Sequence, residues 1–264
     1  MHVIEQLIYE RAPKLTSRPA LFKALRPLIY HMLAYDSAVF LADTIHDKTG
    51  HQAFARITRY INPNIAVEGI ENLPRNGRCV IMCNHPTGLA DGMAVFEAIR
   101  ERRPRHTFLA NADALRIFPK GKDIIIPVEW VEDKRTAAKT RQTLIDVRAA
   151  FKEEKCVVIF PSGRLATMSW RGLKEQPWQS SAAMLARKYN APIIPLKINS
   201  KNSWLYYLLT RLNTELRDIT LFNELLNKKN RTFNMTFGEA IDPASLPKNA
   251  DEATAQIRAV VDAL

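Results

Sequence analysis

His85 and Asp91 stand on either side of a short loop in the stretch VIMCNHPTGLADG, residues 80–92. Imidazole titrates near neutrality. A carboxylate within hydrogen-bond reach fixes its tautomer and prepares it to take up a proton, which is the equipment of a general base. The apolar run CVIMC (79–83) reads as a buried strand, and Pro86 biases His85 away from helical geometry. Thr87-Gly88 supplies a turn, and Asp91 falls in the opening turn of the next helix, so the chain can bring the carboxylate back to the ring. The free N–H groups of that helix start also favour a nearby anion. The same residues equally suit plain turn chemistry, with His85 in a loop and Asp91 as a helix-starting carboxylate.

The elements that must position the pair follow a regular alternation. Short apolar runs rich in β-branched residues occur at 79–83, 107–110, 123–128, 156–160, 192–198 and 232–237, separated by helical stretches. The helices are expected at Gly92–Arg103, Thr136–Lys155, Gln179–Tyr189 and Asp251–Leu264. Strands alternating with helices predict an α/β fold, a mostly parallel central sheet flanked by helices. Ligands in such sheets collect at the carboxyl ends of strands, which is where His85 lies. Residues 1–60 read as an N-terminal helical segment and 61–264 as the α/β domain. In the first segment Leu21, Leu25, Leu28 and Met32 share one helical face, with Phe22, Ile29 and Leu33 adjoining, Arg18, Lys23 and Arg26 flanking, and Pro27 marking a kink or restart. That segment is either a helical hairpin packed on the main domain or an amphipathic surface in a lipid interface.

The formal net charge is +11 over 264 residues, with 38 Lys and Arg against 27 Asp and Glu. Such a surplus attracts anionic surfaces: acidic lipid, nucleic acid or an acidic carrier protein. It gathers at Arg100, Arg102, Arg103 and Arg105, at Lys134, Lys139, Arg141, Arg148 and Lys152, and at Lys228, Lys229 and Arg231. Cys79, Cys83 and Cys156 sit in apolar runs, as reduced buried thiols do, and Cys83-x-His85 has no partner motif to complete a metal site. Neither a secretory signal nor a membrane-spanning run is expected from the sequence. Membrane contact, if any, is peripheral, on the cytoplasmic face.

NHPTGLADG resembles the first motif of the glycerolipid and lysophospholipid acyltransferases, the 1-acylglycerol-3-phosphate acyltransferase-like family. FLANADALRIFPKG (108–121), IFPSGRLA (159–166) and APIIPLKI (191–198) resemble the family's second, third and fourth blocks, in order. His85 and Asp91 are separated by five residues where the family has four. That spacing and the stretch 202–241 resemble the hemolysin-like, ornithine-lipid acyltransferase branch. Asn111 stands at the usual Lys of the second block. In the third block, normally FPEGTRS, Ser162 replaces Glu and Arg164 stands one place early.

The resemblance implies transfer of an acyl group from an acyl carrier protein or coenzyme A thioester to a lysolipid hydroxyl. His85 would be the base and Asp91 its partner. Asn84, Gly88, Asn111, Arg116, Ser162, Gly163 and Arg164 would bind substrate, with an oxyanion held by N–H groups near Ser162-Gly163 or at the start of a helix. No metal, resident cofactor or nucleic acid is implied; the partners are the acidic donor, an anionic membrane surface and the lysolipid. The departures put glycerol phosphate in doubt as acceptor, because a phosphate dianion needs fixed cations. WLYYLLTRL (204–212) is the stretch expected to line an acyl groove. The alternative is a non-enzymatic basic protein that binds membrane or nucleic acid, which leaves the four blocks unexplained.

Overall fold

A computed structural model of the chain describes residues 1–129, 135–170 and 172–264. Seven strands form one sheet: β1 (Asn64–Glu68), β2 (Cys79–Cys83), β3 (His106–Asn111), β4 (Ile125–Val128), β5 (Cys156–Ile159), β8 (Ile193–Asn199) and β9 (Thr232–Phe237). Two short strands, β6 (Thr167–Ser169) and β7 (Gly172–Lys174), make a separate antiparallel hairpin. The sheet order is β1-β9-β8-β2-β5-β3-β4, and every neighbouring pair is parallel except β8–β9. The expected fold class is therefore the one found, and its six strands are all present. β1 and the hairpin were not foreseen: β1 alternates half-buried and exposed residues at the sheet edge, and the hairpin strands are only three residues long.

β2 lies in the middle, between β5 and β8. After β2 the chain builds the β5-β3-β4 side, then crosses past β2 to build the β8-β9 side. The carboxyl end of β2 is thus the topological switch point, the usual ligand crevice of open α/β sheets. β2 is buried on both faces, which is why it reads as one apolar run. Cys79, Ile81 and Cys83 face a core shared with helices Tyr35–Ile45, Gly50–Ile61 and Leu89–Ile99. Val80 and Met82 face the opposite layer, built from helices Ala137–Lys152, Ser181–Lys188 and Ala250–Ala263.

Helix Leu89–Ile99 begins three residues earlier than expected, because Asp91 at its third position turns back to accept the Gly88 N–H and closes the first turn. Five helices occupy residues 3–61, and Leu41, Ile45, Phe54 and Ile57 belong to the main core. Helix Pro19–Met32 runs through Pro27 unbroken; the proline lies on the exposed side, where water can reach the carbonyl it leaves unpaired. Its face is split. Phe22, Ile29 and the following Leu33 are buried, whereas Leu21, Leu25 and Leu28 point outward. Among the described residues no helix is long and apolar enough to cross a membrane.

Candidate active site

His85 leaves the end of β2 with its backbone held on both sides. Its carbonyl accepts the Ala166 N–H at 3.0 Å. Its N–H donates to both carboxylate oxygens of Glu175, at 3.1 and 3.2 Å. Asn84 anchors the preceding residue, its amide exchanging two hydrogen bonds with the Ile198 backbone across to β8 (2.9 and 2.7 Å). The imidazole lies against the Phe160 ring with centroids 4.2 Å apart, so its plane is set by packing.

Asp91 completes the geometry. Its Oδ2 accepts from His85 Nδ1 at 3.0 Å, from the Thr87 N–H at 2.8 Å and from the Gly88 N–H at 2.9 Å. Its Oδ1 accepts the Thr87 hydroxyl. The carboxylate is fully buried, and the His85 side chain is 16% exposed. A buried carboxylate with four donors aimed at it is an acceptor throughout, so Nδ1 carries the proton and Nε2 keeps the lone pair. Gly88 makes the turn possible at φ +82°, a conformation that favours glycine, and a Cβ there would meet Leu165 at 2.9 Å.

An apolar cavity of about 320 Å³ is lined in part by His85. Gly88, Leu89, Phe160, Gly163 and Leu165 line it beside His85. Its far walls come from the N-terminal helices (Ile4, Leu7, Leu41, Phe54), from Phe108 and from Phe222, Leu225 and Leu226. The stretch 204–212 does not line it. In that helix Tyr206, Tyr207 and Leu209 are buried elsewhere, and Trp204, Leu208 and Leu212 face outward.

The other residues singled out from the sequence divide into two groups. Asn84, Gly88, Ser162 and Gly163 gather at the His85 loop; Asn111 lines the apolar cavity, its side-chain oxygen accepting the Asp113 N–H at 2.8 Å. Arg116 does not reach the site: it pairs with Glu10 at 2.7 Å and Asp113 at 3.3 Å, tying the first helix down. Arg164 is exposed and lines neither the apolar cavity nor the polar cleft that opens beyond Pro86. The Gly163 N–H donates to the Phe160 carbonyl, and those of Thr87 and Gly88 go to Asp91. Gly163 therefore supplies no free N–H to an oxyanion.

The basic clusters also sort by partner. Arg103 is buried with its guanidinium on the carbonyls of Pro74, Gly77 and Glu154, and Arg102 caps Leu73 and Glu71; both are structural. Lys228 is buried against Glu224. Arg141 and Arg148 are exposed, Lys139 pairs with Glu129, and Lys134 lies outside the described residues.

Sequence reasoning missed Glu175. It arrives directly after β7, and the Ser162 hydroxyl stands within hydrogen-bond reach of its carboxylate. No local signal marks it, because it lies 90 residues from His85 along the chain. Burial pushes the Glu175 carboxyl above its usual value of 4.5, against the hydrogen bonds from Ser162 and the His85 N–H that favour its charged form. A raised folded value means that the carboxyl weakens stability once ionised. The loss begins as pH rises past the unfolded value and is complete above the folded one. Glu175→Gln, neutral at every pH, is expected to flatten the fall in melting temperature that starts near pH 4.5. Thermal melts across that window check this; an unchanged slope contradicts it.

Comparison with known proteins shows the family and the fold. The family model described as Acyltransferase matches residues 64–199. A lyso-glycine lipid O-acyltransferase from Phocaeicola vulgatus is 23% identical over 209 residues, covering 77% of this chain and 73% of that one. One from Bacteroides thetaiotaomicron is 22% identical over 222 residues, covering 81% and 79%. The crystal structure of the 1-acyl-sn-glycerophosphate acyltransferase from Thermotoga maritima superposes with a TM-score of 0.51 at 16% identity, over 97% of this chain and 95% of that one, a likeness of fold.

Proposed function

The chain belongs to the acyltransferase family, and on that premise we propose that it moves a fatty acyl group from an acyl thioester to a hydroxyl of a lysolipid, with His85 as general base. One observation carries the reading: an imidazole fixed through Nδ1 by a buried carboxylate, on a residue that lines a largely apolar cavity. The cavity suits an alkyl chain, and Nε2 is the ring nitrogen left for a substrate proton. A binding module accounts for the charge but has no use for a steered imidazole.

In the reaction the acceptor hydroxyl gives its proton to Nε2 while its oxygen attacks the thioester carbonyl carbon. Asp91 stabilises the imidazolium that forms. The tetrahedral intermediate collapses, the C–S bond breaks, and the proton on Nε2 passes to the departing sulfur. Products are the ester and a free thiol. A thioester is activated enough that the scheme uses no resident cofactor, and the donor is acyl carrier protein or coenzyme A.

The acceptor we propose carries an amino-acid head rather than a phosphomonoester. Arg116 is held by Glu10 and Asp113, Arg164 points to solvent, and Asn111 replaces a cation, so no phosphate clamp assembles at the second and third blocks. The names of the two lyso-glycine lipid relatives agree. Leu21, Leu25 and Leu28, exposed beside Arg18, Lys23 and Arg26, suit a peripheral seat on an anionic membrane at its cytoplasmic face.

The test uses purified protein, a labelled acyl thioester and lysolipids in anionic vesicles: lyso-glycine lipid, lyso-ornithine lipid and lysophosphatidic acid. Product mass identifies the acceptor, expected among the first two. Leu25→Glu with Leu28→Glu is expected to lower turnover on vesicles severalfold and leave it unchanged on a dispersed short-chain acceptor. No product from any pairing rejects the function; equal loss on both acceptor forms rejects the membrane seat.

A further inference from the structure

Two carboxylates meet the His85 loop, and they are kept differently. Asp91 takes four donors, one of them the His85 ring, so its charge is met in the resting protein. Glu175 takes a single N–H, that of His85, shared between its two oxygens at 3.1 and 3.2 Å. Its other neighbour is the Ser162 hydroxyl, whose one proton is also directed to the Arg164 carbonyl at 2.8 Å. Among the described residues no cation pairs with the Glu175 carboxylate. Arg258 donates to its backbone carbonyl at 3.3 Å and pairs with Asp262. Lys174 is exposed, and Lys197 caps the carbonyls of Val261 and Asp262.

An ionised carboxylate with so few donors is costly to hold away from water. Burial opposes the charged form of Glu175, and the negative charge of Asp91 opposes it further, whereas a charged His85 ring favours it. Cys83, at the end of β2, responds to the same surroundings: burial, then Asp91 and Glu175, push its thiol up, so it stays neutral. The positive charge that answers Glu175 is therefore the one His85 acquires when it takes up a proton.

We propose that Glu175 is a positioning residue for the base: it holds the His85 backbone in place, and its unpaired charge favours the imidazolium that forms in the transition state. The inference deepens the acyl-transfer reading and rests on it. Asp91 fixes the ring in both the resting and the reacting protein. Glu175 is under-met at rest and gains its counter-charge only as the proton moves. An interaction that strengthens at that moment lowers the barrier without tightening substrate binding. It also has a signature: removal of the charge relieves the resting protein and slows the reaction.

Glu175→Gln tests this, because its amide oxygen still accepts the His85 N–H and its NH₂ donates to the Ser162 oxygen. Above neutral pH it is expected to melt no lower than the parent and to lose kcat by about tenfold, with donor and acceptor KM held. The ratio of parent to variant kcat should shrink as pH falls through the Glu175 titration, since the protonated carboxyl is neutral too; a merely structural loss would not follow that titration. Glu175→Asp, which keeps the charge, should retain kcat within about threefold. In a His85→Ala background Glu175→Gln should change the residual rate by less than about twofold, because a residue acting through the ring has nothing left to act on. NMR of isotope-labelled histidine reads the coupling without turnover: the His85 ring should keep its proton to a higher pH in the parent than in Glu175→Gln. Equal ring titration, an unchanged kcat, or the same loss in the His85→Ala background overturns the proposal. If His85→Ala alone keeps full activity, the acyl-transfer reading loses its base, and the ring titration still decides Glu175.

Discussion

The His85→Ala protein is expected to fold, melt near the parent temperature and lose acyl transfer by roughly 10²–10⁴-fold, nearly all of it in kcat. The fold survives because the loop does not depend on the ring. The backbone of residue 85 stays held by Ala166 and Glu175, and Asp91 keeps the Thr87 and Gly88 N–H groups and the Thr87 hydroxyl. What disappears is Nε2, the acceptor for the attacking hydroxyl's proton. That interaction forms in the transition state, so substrate affinities should change little. Steady-state kinetics on donor and acceptor, with a thermal melt beside them, check the claim. A loss under fivefold with the fold intact would refute His85 as the base.

Asp91 is expected to separate charge from structure. Asp91→Ala leaves the N–H groups of Thr87 and Gly88 and the His85 Nδ1–H without an acceptor in a fully buried place. At about 1–3 kcal/mol for each unmet buried donor, the protein loses about 3 kcal/mol or more. That is roughly 6–12 °C in melting temperature for a chain of this size. Asp91→Asn is different. An amide oxygen at the Oδ2 position still accepts from the three donors, and its NH₂ can donate to the Thr87 hydroxyl, which turns to accept. Stability should fall by no more than about 1 kcal/mol. Activity should fall by roughly 10²–10⁴-fold, because a neutral amide cannot stabilise the imidazolium. Comparison of the two variants by calorimetric melts and kcat decides it: an asparagine variant with near-parent kcat would reduce Asp91 to a loop brace.

How much of this was legible beforehand depended on how local the cause was. The six expected strands could be read because each is a short apolar run between turn residues; in β2, β5 and β8 burial on both faces leaves that mark, and in β9 the alternation of buried and exposed residues does. The His85–Asp91 pair could be read because the proline, the glycine and the helix start that join them all lie within seven residues. Glu175 could not, since it reaches His85 through the β6–β7 hairpin across 90 positions of sequence. Arg116 invited assignment to substrate by its place in the second block; its partner Glu10 lies 106 residues away, and nothing local announces it. The stretch 204–212 looked like an acyl wall by its apolar content, yet hydrophobicity states that a residue avoids water and not which surface it joins.

Periodicity, turn chemistry and helix capping act over a few residues, so the sequence alone determined the α/β alternation, the strand on which the base sits and the carboxylate returned to it. Which acids and cations face the site, which helices roof the alkyl cavity and what lies behind Asn84 depend on contacts between segments far apart in the chain. Those were decided only when the sheet order placed β8 beside β2 and the residues flanking the hairpin, Ala166 and Glu175, met the His85 backbone, because long-range packing selects among many surfaces that look alike in one dimension.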